Sequence, residues 1–542
     1  MKKYLMLLAN TLICTMILPT LMSCSTEDNA ATTPDPEPES SQLADVTIMY
    51  YGHGGGNLDE DYVGNLRRMY EAAASSYENV KIAVEYKFST SDNLPTRATE
   101  LEMESIAELV EKGGKKAEAD LSNKSYLKWM NPKGSSTLRF VVDPTKTLKV
   151  QAEGNYLPGE NAKITLPDSL TNFINWAAKA CPAKKYVLVL NDHGGGYQPD
   201  AEIFDNKAAA TRAVIFDDGN EGDHFSAPSL AHALKAASIR PDVLYFDACL
   251  MNTLEYMFEL KDVTDYIVAS TYITLTGAPY ATLIDIMSQA SDQMKYALEK
   301  YTEYYVKSFD QESEETVFYY DMTVTETAKL DQFGKAMREF TDRLCNTYQN
   351  GTADQKQKID EVTLNAVKIN QTAPLYDVGR YMEAMRKALP EVFDDTLWAE
   401  LKESFNNCIA GQYNSKYLLK REYDVDYSVV LATEGTYLQT TWQELASDPS
   451  TKILNLIIYY ESNGEYTICD VENGAFKKDF TPEYIVKPKE NGNWGSTLES
   501  VYGALAFDKA TGWSRWLLLN KQQPSLWCNN EFETPLPKIS EE

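Results

Sequence analysis

Several constellations that would announce a function are missing from this chain. No Cys-x-x-Cys pair occurs among its 8 cysteines, so the zinc-ribbon reading fails. No Gly-x-Ser-x-Gly string occurs either, which removes the nucleophile elbow that a serine α/β-hydrolase needs and disfavours an ester hydrolase. Histidine is scarce, with 4 in 542 residues. Positive charge is short: 51 Lys and Arg stand against 80 Asp and Glu, a net charge of -29. That field repels phosphate backbones and excludes a sequence-independent nucleic-acid binder. Past the first residues, no run is long and apolar enough to span a bilayer. What remains is the composition of a soluble globular protein, long enough for about three or four domain-sized units.

The N-terminus reads as an export signal. Lys2 and Lys3 precede an apolar stretch from Tyr4 to Met22, which ends in Leu21-Met22-Ser23-Cys24. Residues 1–23 are expected to be a signal peptide. The final four residues resemble a lipobox, which makes Cys24 the lipidation site and implies an anchor in a bacterial outer membrane. Met22 is an unusual choice before the small residue and keeps an ordinary secreted protein as the alternative. Residues 24–43, with Thr32-Thr33-Pro34-Asp35-Pro36-Glu37-Pro38, are acidic and Pro-rich and read as a flexible tether.

Strand and helix patterns alternate from residue 44 onward. Val46 to Tyr51, Val80 to Phe88, Leu138 to Val142, Tyr186 to Leu190, Val214 to Phe216, Val243 to Phe246 and Tyr266 to Ala269 read as strands. Between them, Leu170, Phe173, Ile174 and Ala177 fall at helical spacing after the capping candidates Asp168 and Ser169. Leu230, Ala233 and Leu234 mark another helix, and 254–260 a further one. Strands separated by helices predict an α/β class with a mainly parallel sheet. Residues 285–405 look mostly helical. Strand signals return later, as at Tyr427 to Leu431 and Ile453 to Tyr460. The expected organisation is a catalytic domain over 44–320, a helical region over 321–420 and a mixed α+β region over 421–542.

The chemistry gathers around two identical strings, His-Gly-Gly-Gly at 53–56 and at 193–196, each after a strand. Gly-rich turns leave backbone N–H groups free and let a ligand approach closely. Val243 to Phe246 runs into Asp247-Ala248-Cys249, so Cys249 and His193 both sit at carboxyl ends of strands. Ligands of open parallel sheets bind outside those ends. A cysteine beside a histidine can ionise to a thiolate, the minimal apparatus for acyl transfer. If one of Cys181, Cys249, Cys345, Cys408, Cys469 and Cys528 is a free catalytic thiol, an odd number remains and a complete disulfide framework is excluded.

Asn191-Asp192-His193-Gly194-Gly195-Gly196, followed by Asp247-Ala248-Cys249-Leu250-Met251, resembles the clostripain family of cysteine peptidases, in the clan of caspases, gingipains and legumains. Gly52 with Asn57-Leu58, Phe173 to Trp176, Leu230 to Leu234, Tyr376-Asp377-Val378 and Gly512 to Leu517 are similar to family segments as well. The resemblance implies a caspase-like α/β/α sandwich, with His193 and Cys249 as the catalytic dyad. It also implies an oxyanion hole from the backbone N–H groups of Gly194 and Cys249. Asp247, two residues before the cysteine, would line the pocket for the residue before the scissile bond and select Arg or Lys by a charge-assisted hydrogen bond. Protein or peptide substrates follow.

The segment after Ser270 departs from the family. Thr271-Tyr272 stands where two acidic residues are common, and Gly277-Ala278-Pro279-Tyr280 lacks the usual tryptophan. That change motivates a rival from another class, a surface-anchored binding lipoprotein without activity. The chemistry requires no cofactor. Calcium, which some relatives need, would find hard oxygen ligands in Asp217, Asp218, Glu221 and Asp223, without an assigned metal site. Residues 199–213 carry Lys207 and Arg212 in a polar, Ala-rich stretch, and self-cleavage after either is expected. His53 is the obvious rival to His193, because its strand end could share the same sheet edge. His224 and His232 read as structural or solvated.

Overall fold

A computed structural model describes residues 43–76, 78–90, 112, 121–130, 136–158, 162–197, 214–220, 223–309, 321–366, 375–414 and 502–521, with five short strand segments between 457 and 486. The signal, the tether as far as residue 42, Cys24, Lys207, Arg212, Glu221, Cys469, Cys528 and the expected strand at Tyr427 to Leu431 lie outside the described residues.

The frame is one eight-stranded sheet. In chain order the strands are β1 (Ala44–His53), β2 (Val80–Lys87), β3 (Thr137–Val141), β4 (Ala183–Asn191), β5 (Val214–Asp217), β6 (Asp223–Phe225), β7 (Val243–Asp247), β8 (Tyr266–Ala269), β9 (Asp321–Glu326), β10 (Leu375–Asp377) and β11 (Ile409–Asn414). The sheet runs β11-β9-β8-β7-β4-β1-β2-β3. The five strands from β8 to β2 are parallel to one another, whereas β3 and β9 run against their neighbours. The α/β class and mainly parallel sheet expected from the alternating pattern are therefore observed.

Alternate residues of each strand feed opposite faces, which makes three layers. Ile48, Tyr50, Val187, Val189 and Tyr245 pack with the helices Asp59–Ser76, Tyr280–Ala290 and Met294–Phe309. Met49, Tyr51, Leu188, Leu190 and Phe246 pack with Pro167–Ala180, Ala227–Ala236, Leu254–Leu260 and Leu330–Asn350. β4 is buried on both sides, as its continuous apolar run requires.

Three local expectations change. The helix expected from Asp168 and Ser169 starts at Pro167, with no side-chain cap. Proline suits a first-turn position because the N–H it lacks would be unpaired there. Val214 to Phe216 forms no part of the central sheet. It pairs with β6 in a hairpin. The boundary expected near residue 320 falls inside the sheet, because β9 and β11 extend it past β8. Ile457–Tyr459, within the run expected as a strand, is one and pairs with β10.

The last described helix, Trp513–Lys521, returns to the helix Leu330–Asn350. Trp516 is fully buried, its ring 5.2 Å from that of Tyr348. Trp516→Ala is expected to lower folding stability by about 3–5 kcal/mol through the cavity it leaves, measured by urea denaturation. Among the described residues the cysteines are free thiols, three of them buried. Burial pushes Cys181 and Cys345 up to about 11, which keeps them protonated and inert. Cys249 is the half-buried one.

Candidate active site

β4 and β7 are paired in parallel with Asn191 opposite Asp247. Both chains leave the sheet at the same edge, one into Asp192-His193-Gly194 and the other into Ala248-Cys249. The Asp192 N–H reaches the Asp247 carbonyl at 3.4 Å. Closer still, a Cβ added to Gly194 would lie 2.2 Å from the Cys249 carbonyl oxygen and 2.9 Å from its nitrogen. The histidine loop is thus seated on the cysteine backbone, and only glycine fits. Gly194→Ala is expected to displace one loop from the other. The expected readout is a loss of Cys249 alkylation rate, by about 100-fold for a shift near 1 Å.

Leu250, the residue after the cysteine, has φ 64°. A left-handed conformation costs a leucine about 1–2 kcal/mol. Its N–H is held by the Tyr272 carbonyl at 2.8 Å. The strained turn leaves Cys249 half-buried between Ala248 and Leu250, both buried. Thr274 lies against the thiol: its N–H donates to Sγ at 3.3 Å, and its hydroxyl is 3.6 Å away. Burial raises the thiol above its usual value, and the Thr274 hydrogen bonds oppose that only in part.

The first His-Gly-Gly-Gly string supports the second. A Cβ on Gly55, where φ is +51°, would lie 2.2 Å from Asp192 Oδ1 and 2.7 Å from His193 Cδ2. Two residues on, the Asn57 amide oxygen lies 2.7 Å from His193 Nε2. Asp192 accepts the His193 N–H through Oδ1 and the Phe216 N–H through Oδ2, each at 2.6 Å. His193 is thus fixed from its backbone and from one ring nitrogen.

His53 is not a rival to His193. It is fully buried and cannot meet a substrate. Its Nδ1 accepts the Gly55 N–H at 2.7 Å, and its Nε2 lies 3.0 Å from Asp218 Oδ1. Burial alone would lower its pKa, but Asp192, Asp218 and Asp217 outweigh it and raise the group to about 9. His53 is a buried clamp between the first loop and the β5–β6 hairpin. Beside it, Lys87 pairs with Asp217, both side chains fully buried.

Of the carboxylates considered for calcium, Asp217 and Asp218 lie together beside His53. His53, Asp217 and Asp218 bring possible ligand atoms within 4.8 Å of one another. Asp217 already faces the Lys87 ammonium, and Asp218 accepts the Thr90 N–H at 2.9 Å. Asp223 is exposed on β6. A cation there would compete with the Lys87 ammonium for Asp217. His224 sits on β6 with its ring 5.9 Å from Phe216, and His232 on the helix Ala227–Ala236.

Asp247 is 6% exposed. Its Oδ2 accepts Asn191 Nδ2 at 2.8 Å and the Tyr280 hydroxyl at 2.5 Å. Burial pushes it up to about 6, against those hydrogen bonds and the charge of Arg68. Both donors are neutral, so the carboxylate keeps its charge without an ion-pair partner from either. The structure brings His193, Gly194, Asp247 and Cys249 to one edge. Asn57, Thr274 and Tyr280 belong with them and were not foreseen as contacts. Asn57 after the first glycine string was the one with a visible signal, since that string repeats the second.

The chain is similar to one known family and to several known proteins. The clostripain family model matches residues 157–517. Clostripain from Hathewaya histolytica is 32% identical over 101 residues, and the match spans 18% of either protein. Among solved structures, the secreted C11 cysteine protease iotapain of Bacteroides thetaiotaomicron is 17% identical. That match covers 69% of this chain and 88% of that one, with a TM-score of 0.47. An inactive zymogen C11 protease from Parabacteroides distasonis is 16% identical, covering 87% of this chain and 99% of that one, with a TM-score of 0.45.

Proposed function

The chain belongs to the clostripain family, and from that premise we propose that it is a cysteine endopeptidase with Cys249 as nucleophile and His193 as its proton-transfer partner. The observation that carries the reading is the seat of Gly194 on the Cys249 backbone, which sets both residues at the ends of paired strands. In the proposed reaction the thiolate of Cys249 attacks the scissile carbonyl. The backbone N–H groups of Gly194 and Cys249 receive the oxyanion, each contributing roughly 3 kcal/mol. His193 protonates the leaving amine, and water then hydrolyses the thioester. With Nε2 held by Asn57, the other ring nitrogen, Nδ1, is the one that serves. The raised thiol pKa means that most Cys249 rests protonated until substrate and His193 close on it.

Asp247 would bind the cationic side chain of an Arg or Lys before the scissile bond. Its neutral neighbours and low exposure make that charge valuable. Substrates are proteins or peptides. Cys24 is proposed as a lipid anchor of an exported protein, and no helix among the described residues is long and apolar enough to cross a membrane.

The test uses a form starting near Ser25. Fluorogenic peptides ending in Arg, Lys, Asp and Leu are compared, with calcium present or chelated. Turnover confined to Arg and Lys is expected. Equal turnover of all four, or none by a folded sample cut between 198 and 213, would overturn the reading. The same samples test self-cleavage after Lys207 or Arg212. Wild type is expected to resolve into two bands on a denaturing gel, and Cys249→Ala to stay as one.

A further inference from the structure

We propose that Asp321 is a positioning residue for the nucleophile, acting through the turn that supports Cys249. The proposal rests on the reading of Cys249 given above. Asp321 opens β9 and is fully buried. One of its oxygens, Oδ1, accepts three donors from a single turn: the Ser270 hydroxyl at 2.8 Å, the Thr271 N–H at 2.9 Å and the Tyr272 N–H at 3.1 Å. Three donors converging on one oxygen call for a strong acceptor, which an ionised carboxylate is.

That turn is what holds the chain around the thiol. The Tyr272 carbonyl accepts the Leu250 N–H at 2.8 Å, and the Ser270 carbonyl accepts the Asn252 N–H at 3.0 Å. The Asn252 amide donates to Thr271 Oγ1 at 2.9 Å. Two residues beyond Tyr272, the Thr274 N–H meets Cys249 Sγ. The segment after Cys249 is therefore tied to the turn at three points and the thiol at a fourth. Leu250 keeps its left-handed conformation only while its surroundings over-determine it. Releasing the turn would let Leu250 relax, moving the Cys249 N–H that faces the oxyanion and withdrawing the donor that favours the thiolate.

A role limited to holding the fold explains Asp321 less well. β8 and β9 are already joined by a four-residue ladder from Tyr266 to Ala269. A buried carboxylate is a costly way to reinforce a ladder that backbone bonds already close.

The experiment compares Asp321→Ala and Asp321→Asn with wild type. It reads kcat and KM for an Arg peptide, the rate of Cys249 alkylation by iodoacetamide mapped by mass spectrometry, and the melting curve. For Asp321→Ala, kcat is expected to fall about 100-fold with KM changed less than about 3-fold, as displacement of a reacting group demands. Alkylation of Cys249 is expected to slow about 10-fold. Asp321→Asn keeps an acceptor oxygen and is expected to recover kcat to within about 10-fold of wild type. A cooperatively folded Asp321→Ala with wild-type kcat and alkylation rate would overturn the proposal. If that variant does not fold, Ser270→Ala removes one of the three donors. A loss of about 3-fold in kcat at constant KM supports the proposal, and no loss overturns it. Activity surviving Cys249→Ala would sink the nucleophile reading and this proposal together. Unaffected Asp321 variants beside a dead Cys249→Ala sink this proposal alone.

Discussion

Replacement of Cys249 by alanine is expected to lower kcat for an Arg peptide by at least about 10,000-fold, to the level set by binding and the oxyanion donors alone. His193→Ala is expected to cost nearly as much, and the double variant little more than either single one. Such non-additivity is the signature of residues that act in one step. Asn57→Ala probes the support of the pair. It removes the partner that fixes His193 Nε2 at 2.7 Å but no reacting group, so a loss of about 10- to 100-fold in kcat is expected. None of the three should lower the melting temperature by more than a few degrees, because Cys249 and His193 are only half-buried. Cys249→Ala protein that still turns over peptide at the wild-type rate would remove Cys249 from the chemistry.

The second large effect concerns selectivity. Asp247→Asn preserves the shape of the group and its contacts with Asn191 and Tyr280 while deleting the charge. The ratio of kcat/KM for Arg over Leu peptides is expected to fall about 100-fold, the worth of one charge-assisted hydrogen bond in a partly desolvated site. The same ratio should depend on pH. Burial raises Asp247 to about 6, so the free enzyme loses its carboxylate below that pH and the ratio should fall with it. Taking the ratio cancels ionisations of His193 and Cys249, which affect both substrates alike. Stability moves the other way. A folded pKa raised above the unfolded value of about 3.9 means that the folded state holds the extra proton. The burial cost is fully felt above about pH 6 and is relieved as pH falls toward 4. Between those values the wild type should gain stability from this group while losing its preference for Arg. Asp247→Asn should show no such change in preference and only the stability gain of the other buried carboxyls, Asp59, Glu85 and Asp321. A pH-independent ratio would exclude Asp247 from the pocket.

The parts of this site visible in the sequence were those with local signals. Two glycine strings after strands, a buried strand running into Asp247-Ala248-Cys249 and the alternating helices were enough to place His193 and Cys249 at one sheet edge. Local patterns could not show how distant segments close on that edge. Tyr280 reads as a residue at a helix start, yet it holds Asp247. Thr274 reads as a loop residue, yet it lies against the thiol. His53 looked equivalent to His193 because the two strings are identical. What separates them is burial, which depends on Lys87, Asp192, Asp217 and Asp218 arriving from three other segments. The extent of the sheet was hidden for a related reason. β9 and β11 flank a long helical stretch, and nothing local reveals that both return to the same edge.

The pairing of β4 with β7 lies at the middle of the sheet, and residues 198–213 fall between those strands in the chain. A backbone break in that stretch would therefore divide the sheet's owners without dividing the sheet. One piece would hold β1 to β4, the other β5 to β11, and neither could close its core alone. A nicked molecule would be a heterodimer in thermodynamic terms. Its midpoint of thermal unfolding would rise with protein concentration, whereas that of the intact chain would not. Dilution would then act on the cut form as a destabilising agent, and its lifetime would be governed by how fast a central strand pair can part.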